Sequence, residues 1–169
     1  MDYFNYFSND WLSYFEIKIK VTSLNIFLNK KILIYGLGKT GLSALKFLKN
    51  KSEIFVHDDH LSKFKNLRIK NTINYKNILK LNFDRIILSP GIDINKCKLS
   101  KFLKKNRNKI YSDLDVFYSF YKNDCITITG TNGKSTTCQL MYEVLLNQKM
   151  DVRLVGNIGN PILSAKKIN

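Results

Sequence analysis

The feature that most constrains this fold is the repeated succession, from Lys30 onward, of a short apolar run and a helical pattern. The run KILIYG at 31–36 is followed by TGLSALKFLKNK, in which Leu42, Leu45 and Leu48 lie at helical spacing. Strands that alternate with helices pair in parallel through right-handed crossovers. The sequence therefore predicts an α/β fold with a Rossmann-like parallel-sheet domain over residues 30–112. Further strands are predicted at 53–59, 84–92 and 109–114, and a further helix at 95–106.

A second unit is predicted from residue 113. A helix over 112–121 has Asp113 and Asp115 in its first turn, which suits a helix N-terminus. The apolar run CITITG at 125–130 predicts a strand, and residues 151–159 predict another before a last helix-like stretch at 161–169. Residues 113–169 thus have the pattern of the truncated start of a P-loop ATPase-type α/β domain. A helix over 134–148 is expected to bury Leu140, Met141, Val144 and Leu145.

Residues 1–29 differ from the rest of the chain. Aromatic and aliphatic side chains recur at helical spacing from Phe4 to Phe15, and residues 15–21 alternate like a strand. The polar face of the predicted helix has Asp and Asn, whereas membrane-surface helices usually have Lys or Arg. We interpret this segment as an accessory extension packed on the next domain, or as an over-called start of the reading frame.

The composition limits the classes of partner. The chain has 28 Lys and Arg against 13 Asp and Glu, for a net charge of +15, yet its basic residues form no arginine-rich block. We therefore expect no nucleic-acid partner, and we expect anionic small substrates instead. No apolar run approaches the ~20 residues of a membrane span, and no basic leader precedes an apolar segment. The three scattered cysteines predict reduced thiols, and reduced thiols indicate a cytoplasmic protein. We also expect the protein to be monomeric.

The first glycine-rich turn is GLGKTG at residues 36–41, between a predicted strand and a predicted helix. Glycines permit a tight turn and a close approach of a diphosphate, while the helix N-terminus offers unpaired N–H groups. Asp58 ends the next predicted strand, where an acid that binds a ribose belongs. Taken alone, the turn predicts a nicotinamide dinucleotide site, and the alternative is a turn needed only for close packing.

The second turn, Ser89-Pro90-Gly91, follows another predicted strand. Ligands of open parallel sheets lie beyond the carboxyl ends of the strands, near the switch in strand order. This turn can therefore line the same crevice as the first, and it is equally well only a turn.

The third turn is GTNGKST at residues 130–136. Its backbone N–H groups can form an anion nest, Lys134 can neutralise phosphate charge, and the Ser135 hydroxyl can bind Mg²⁺. The standard P-loop has a glycine where this chain has Ile128. We predict an ATP site with Lys134 and Ser135 as its catalytic residues, formed by Gly130, Thr131, Asn132, Gly133, Lys134, Ser135 and Thr136.

The form G-T-N-G-K-S-T resembles the P-loop of the Mur ligases and of the related enzymes that add glutamates to folate. The chain is most similar to the branch of that family that joins D-glutamate to UDP-N-acetylmuramoyl-L-alanine. Four matches occur in the family's order: GLGKTG, a strand ending in Asp58, SPGI at 89–92, and GTNGKST followed by GNIG at 156–159. The resemblance covers about residues 30–169.

The resemblance changes the expected ligand of the first unit from a nicotinamide to the uridine diphosphate of the substrate. It implies that Lys39 and Thr40 flank the diphosphate, that Asp58 faces the uracil, and that Asn157 reaches the substrate from the central domain. Ser89 and Gly91 would line the same pocket. The family usually has Thr or Ser and then Arg after the aspartate, where this chain has Asp59 and His60. We do not assign the family's roles to those two residues, because a second acid near a diphosphate is unfavourable unless it points away.

The activity that the resemblance implies is ATP-dependent activation of a carboxylate as an acyl phosphate, which the amine of D-glutamate then attacks. Enzymatic catalysis of this kind depends on positioning and on neutralisation of phosphoryl charge. The family's downstream glutamate, histidine and carbamylated lysine, and its C-terminal domain, would lie beyond Asn169. We therefore expect the 169-residue chain alone not to be a working ligase.

Two other classes of function stay open from the residues. A nicotinamide-dependent oxidoreductase would explain the first turn and leave the third unexplained. A non-catalytic nucleotide-binding module would use the same turns without turnover.

Overall fold

The first unit contains one parallel sheet in the computed structural model, which describes residues 25–60, 62, 64, 69 and 71–165. The strands are β1 (Lys31–Tyr35), β2 (Glu53–His57), β3 (Arg85–Leu88) and β4 (Ile110–Tyr111). The helices are α1 (Lys39–Leu48), α2 (Tyr75–Lys80), α3 (Ser100–Lys105), α4 (Asp113–Phe120) and α5 (Lys134–Asn147). Short 3₁₀ turns occupy Arg107–Lys109 and Ile162–Ser164.

The strand order is β2-β1-β3-β4, and every neighbouring pair is parallel. In the register, Tyr35 at the end of β1 pairs with His57 of β2 and with Leu88 of β3. The three carboxyl ends therefore lie at one edge of the sheet. The predicted Rossmann-like parallel sheet is confirmed.

Both faces of the sheet are covered, which explains why its strands are continuous apolar runs rather than alternating ones. On one face, Ile32, Ile34 and Val56 are fully buried in a cluster that includes residues of α1 and α4. On the other face, Leu33 and Tyr35 are fully buried in a cluster with residues of α2 and α3. The apolar core is thus split into two layers by the sheet.

Local signals account for several of the helix boundaries. Ser112 caps α4, and Asp115 closes a capping box by accepting from the Ser112 backbone N–H over 2.7 Å. The helix predicted at 95–106 is shorter, because Asp93 instead accepts from the Asn95 amide and initiates a turn. Helix α2 was not predicted, although its N-cap Asn74 marks its start.

The strands predicted at 125–130 and 151–159 are wrong. Residues 125–130 are largely exposed and belong to no strand, and the later segment makes only an isolated bridge between Val155 and Asn160. An apolar run becomes a strand only when a neighbouring strand accepts its hydrogen bonds. No such neighbour lies beside 125–130 in the part of the chain that the structure describes.

Helix α5 forms over nearly its predicted length, but its predicted burial is wrong. Leu140 is 58%, Met141 38% and Val144 56% exposed, and Leu145 is only half-buried. The helix has no buried residue, because no described strand lies against the apolar positions that a sheet would cover.

The end of the described chain returns to the first unit. Ile162 and Leu163 are buried in the same cluster as Ala44 and Leu48 of α1. The boundary predicted between residues 112 and 113 stays a prediction. The helix and the strand predicted within residues 1–29 both lie outside the described residues, as do residues 166–169. None of the described helices is both long and apolar enough to cross a bilayer.

Candidate functional site

The two glycine-rich turns of the first unit meet where the strand order reverses. From β1 the chain first adds β2 on one side, and β3 then pairs with the other side of β1. The turn Gly36–Gly38 follows β1, and the turn Ser89–Gly91 follows β3. The switch point of an open parallel sheet is where ligands bind. We call the edge formed by these two turns the switch crevice.

The floor of the switch crevice is held by direct contacts between the turns. The Ser89 hydroxyl donates to the Gly36 carbonyl oxygen over 2.8 Å, and both groups are buried. Gly36 has φ +96°, and a Cβ there would lie 2.7 Å from the Ser89 Cβ. A glycine is therefore required at position 36 both by conformation and by space.

Lys39 and Thr40 are the first two residues of α1 and stand at the mouth of this turn. Lys39 is exposed and Thr40 is half-buried. The N-cap is Gly38, which has no side chain to accept from the first-turn amides. The helix N-terminus therefore presents unpaired donors and partial positive charge beside an exposed lysine, an arrangement that suits a phosphate group.

The Asp58 carboxylate accepts hydrogen bonds from backbone amides around the crevice. Its Oδ2 accepts from the Leu37 amide over 2.7 Å, and its Oδ1 accepts from the His60 amide over 2.8 Å. The side chain thus ties the turn after β2 to the turn after β1. Lys39, Thr40, Asp58, Ser89 and Gly91 are consequently all found at this one edge of the sheet.

The third turn leads into α5. Gly130 has φ +151° and Gly133 has φ +74°, conformations that favour glycine. Lys134 folds back over the loop, so that its Nζ donates to the carbonyl oxygens of Gly130 and Thr131. Ser135 is exposed and is not bound to another described side chain. We call residues 130–136 the phosphate loop, after the phosphate-binding role that the sequence predicts for them.

The backbone donors of the phosphate loop fit a polyanion. Between Thr131 and Thr136, no amide donates a hydrogen bond within the described residues, whereas the Thr137 amide donates to Gly133 over 2.9 Å. Free amides beside one ammonium group, at a helix N-terminus, are the donor set that phosphates require.

Two other predicted groups are not brought to a site. Asn157 is exposed in the turn between Gly156 and Gly159, and no hydrogen bond among the described residues joins it to the switch crevice. Within those same residues, no three His, Cys, Asp or Glu side chains lie together as a metal site. The Mg²⁺ site stays a prediction, and Ser135 is its one predicted ligand in this chain.

The sequence analysis missed the side chains beneath the crevice. Tyr35 and His57 are the last residues of β1 and β2, and both are buried. A tyrosine and a histidine at the ends of otherwise apolar strands were the sequence signal that could have identified them.

A polar depression at the opposite edge of the sheet is a weaker candidate. Four of its lining residues are lysines. Two of them are already engaged, because the Lys31 and Lys51 ammonium groups lie over the Phe55 and Phe47 rings at 5.3 and 4.3 Å from the centroids. It contains neither glycine-rich turn.

Comparison with known proteins agrees with the resemblance to the Mur ligases that the sequence motifs indicate. Residues 30–110 match the family described as Mur ligase MurD-like, N-terminal domain. A UDP-N-acetylmuramoylalanine--D-glutamate ligase of Rickettsia prowazekii is 39% identical over 151 residues, covering 86% of this chain and 34% of the relative. The ligase of the same name from Wolbachia pipientis is 33% identical, covering 85% and 30%, and that of Aquifex aeolicus is 36% identical, covering 78% and 29%.

The chain spans about a third of the length of these curated relatives. The predicted resemblance to the Mur ligases is thereby confirmed. Over residues 30–110, this chain is a member of the family of Mur ligase MurD-like N-terminal domains.

Proposed function

We propose that the protein joins D-glutamate to UDP-N-acetylmuramoyl-L-alanine with ATP, in the synthesis of peptidoglycan precursors. This chain would supply the site for the uridine diphosphate and the loop for ATP. The observation that carries the proposal is the hydrogen bond between Ser89 and Gly36, which joins the two glycine-rich turns at the switch point of a MurD-like domain. The names of the relatives supply the reaction.

In the switch crevice, the residues have separate tasks. The Lys39 ammonium and the first amides of α1 neutralise and bind the diphosphate, and the Thr40 hydroxyl adds a donor. Asp58 holds the turns in register through Leu37 and His60, and it would offer its remaining lone pairs to the uracil. Ser89 and Gly91 close the opposite wall.

In the phosphate loop, the amides of residues 131–136 would hold the terminal phosphates of ATP, and Lys134 would leave its present carbonyl partners to neutralise them. Ser135 would offer its hydroxyl to Mg²⁺, and Asn157 would approach the substrate. ATP supplies the phosphoryl group that converts the alanine carboxylate into an acyl phosphate, a better acyl donor than a free carboxylate.

A calorimetric titration of the chain tests the first half of the proposal. We expect saturable binding of UDP-N-acetylmuramoyl-L-alanine and none of NADH. Lys39→Ala is expected to weaken binding about fivefold, the effect of one exposed charge near a phosphate. Lys49→Ala is the matched control, because Lys49 lies at the C-cap of the same helix.

The competing nicotinamide function has its own readout. Enhanced NADH fluorescence on mixing, without binding of the uridine ligand, would contradict the proposal and favour an oxidoreductase. Both carboxylate oxygens of Asp58 already accept backbone hydrogen bonds, so its geometry favours positioning of the turns over capture of a ribose.

A further inference from the structure

A cluster of unpaired polar atoms lies beneath the switch crevice, at the ends of β1 and β2. The Tyr35 hydroxyl, the His57 Nε2 and the Asp59 Oδ1 are buried and make no hydrogen bond within the described part of the chain. Tyr35 is 0% and His57 5% exposed. Buried polar atoms without partners are costly, so three in one place require a reason.

The tautomer of His57 is fixed by its other nitrogen. The Nδ1 lies 2.8 Å from the Ile73 carbonyl oxygen, and because a carbonyl only accepts, Nδ1 must bear a hydrogen. The Nε2 then faces the Asp59 Oδ1 at 3.6 Å, which is too long for a direct hydrogen bond. At this distance the two groups attract as an ion pair when Nε2 also bears a hydrogen.

The hydroxyl of Tyr35 is a second donor to this cluster. Burial raises the pKa of Tyr35, and the neighbouring Asp59 carboxylate and Cys97 raise it further. The phenol therefore keeps its proton at neutral pH. The titratable groups around His57 and Tyr35 are Asp59, from the turn after β2, and Cys97, from the segment after β3.

The cluster explains how two adjacent acids can lie at an edge that is proposed to bind an anion. Asp58 and Asp59 are adjacent at an edge that binds an anion, and two carboxylates there would repel a diphosphate. Asp58 is engaged by the amides of Leu37 and His60. Asp59 instead directs its buried Oδ1 toward His57 and Tyr35.

We propose that His57 and Tyr35 are positioning residues that hold the Asp59 carboxylate beneath the sheet edge, so that its charge does not face the diphosphate in the switch crevice. The inference rests on the proposed function of the crevice and extends it to residues that do not touch the ligand. His57 acts through Asp59, and Tyr35 supports the same carboxylate from β1.

The test is a double-variant cycle with UDP as the titrated probe. His57→Leu removes the polar partner of Asp59, and we expect UDP affinity to fall about fivefold, as for one added like charge near an exposed anion site. Asp59→Asn alone should leave affinity unchanged within about twofold. Asp59→Asn in the His57→Leu background should restore it, which loss of packing alone would not do.

Glu53→Gln is the matched control, because Glu53 is an exposed acid at the opposite end of β2 and should not restore the His57→Leu variant. An unchanged affinity in His57→Leu, or failure of Asp59→Asn to restore it, overturns the proposal. Circular dichroism of each variant identifies any that do not fold.

A second measurement on the unaltered chain stands apart from ligand binding. Nitrogen-15 correlation spectra of the His57 ring should show a hydrogen on Nδ1, and a ring protonated only on Nε2 overturns the proposal. If the unaltered chain does not bind UDP, the proposed function of the crevice fails and this inference fails with it. If the chain binds UDP but Asp59→Asn does not restore the His57→Leu variant, only this inference fails.

Discussion

The Ser89 hydroxyl donates a hydrogen bond to the Gly36 carbonyl oxygen over 2.8 Å, and it thereby joins the turn after β3 to the turn after β1. These turns are 53 residues apart in the chain, and the bond is buried. The carbonyl oxygen of Gly36 also lies against Gly41 in the first turn of α1. One peptide group therefore fixes the positions of both turns and of the helix N-terminus.

Removal of this bond should reduce stability and ligand binding together. We expect Ser89→Ala to lower the free energy of unfolding by about 1–2 kcal/mol, because a buried carbonyl loses its donor. Urea unfolding measures the change. Ser43→Ala is the matched control, since Ser43 is equally buried but bonds only to Thr40 within the start of α1. Equal losses in both variants would contradict a special role for Ser89.

The glycines of the first turn should differ sharply in their tolerance of alanine. A Cβ at Gly41 would lie 1.8 Å from the Gly36 carbonyl oxygen, so Gly41→Ala should cost about 2–4 kcal/mol through displacement of the turn. Gly38 has φ −64° and no heavy atom within 4 Å of its ideal Cβ. Gly38→Ala should therefore cost no more than about 1 kcal/mol, the preference for glycine over alanine at an N-cap. A larger loss of stability in Gly38→Ala than in Gly41→Ala would contradict this argument from packing.

Lys134 should separate the two nucleotide sites. Lys134→Ala is expected to weaken ATP binding by about tenfold or more, because the phosphate loop loses its ammonium group, while binding of the uridine ligand stays the same. Isothermal titration with each ligand is the measurement, and Lys122→Ala is the control for loss of one exposed positive charge. Loss of uridine binding in Lys134→Ala would contradict two separate sites.

Asp113 should make stability depend on pH. Burial raises the pKa of Asp113 above its ordinary value of 3.8. Hydrogen bonds from the backbone amides of Leu114 and of Asp113 itself lower this pKa, but by less. The folded state therefore binds the proton more tightly than the unfolded state. This contribution to stability is complete below 3.8 and is lost as pH rises through the folded pKa.

Urea unfolding over this pH range tests the assignment to Asp113. Asp113→Asn should reduce the loss of stability with rising pH that begins near 3.8. A variant with the same pH slope as the unaltered chain would assign the dependence to another group.

The first unit was predictable from the sequence because its signals are local. Apolar runs bounded by Gly36 and Gly91, a capping box at Ser112, and leucines at helical spacing each specify an element without reference to the rest of the chain. The placement of both glycine-rich turns at one edge also followed, since the carboxyl ends of parallel strands coincide. The family match over residues 30–110 agrees with the predicted Rossmann-like domain.

The second unit was less predictable because its strands need partners. Residues 125–130 have the composition of a buried strand and are nevertheless exposed, and the apolar positions of α5 are exposed for the same reason. Sequence periodicity reports which face of an element is apolar. It does not report whether another element is present to cover that face.

By itself, the sequence determined the order of the elements, the glycine turns and the membership of residues 30–110 in a ligase family. Only the tertiary structure decided that Ser89 bonds to Gly36, that Asp58 supports the turns, and that Asp59 points toward His57. The physical reason is range. Helix and strand patterns depend on neighbours within a few residues, whereas hydrogen bonds between side chains and distant backbone exist only after the sheet has brought separate turns to one edge.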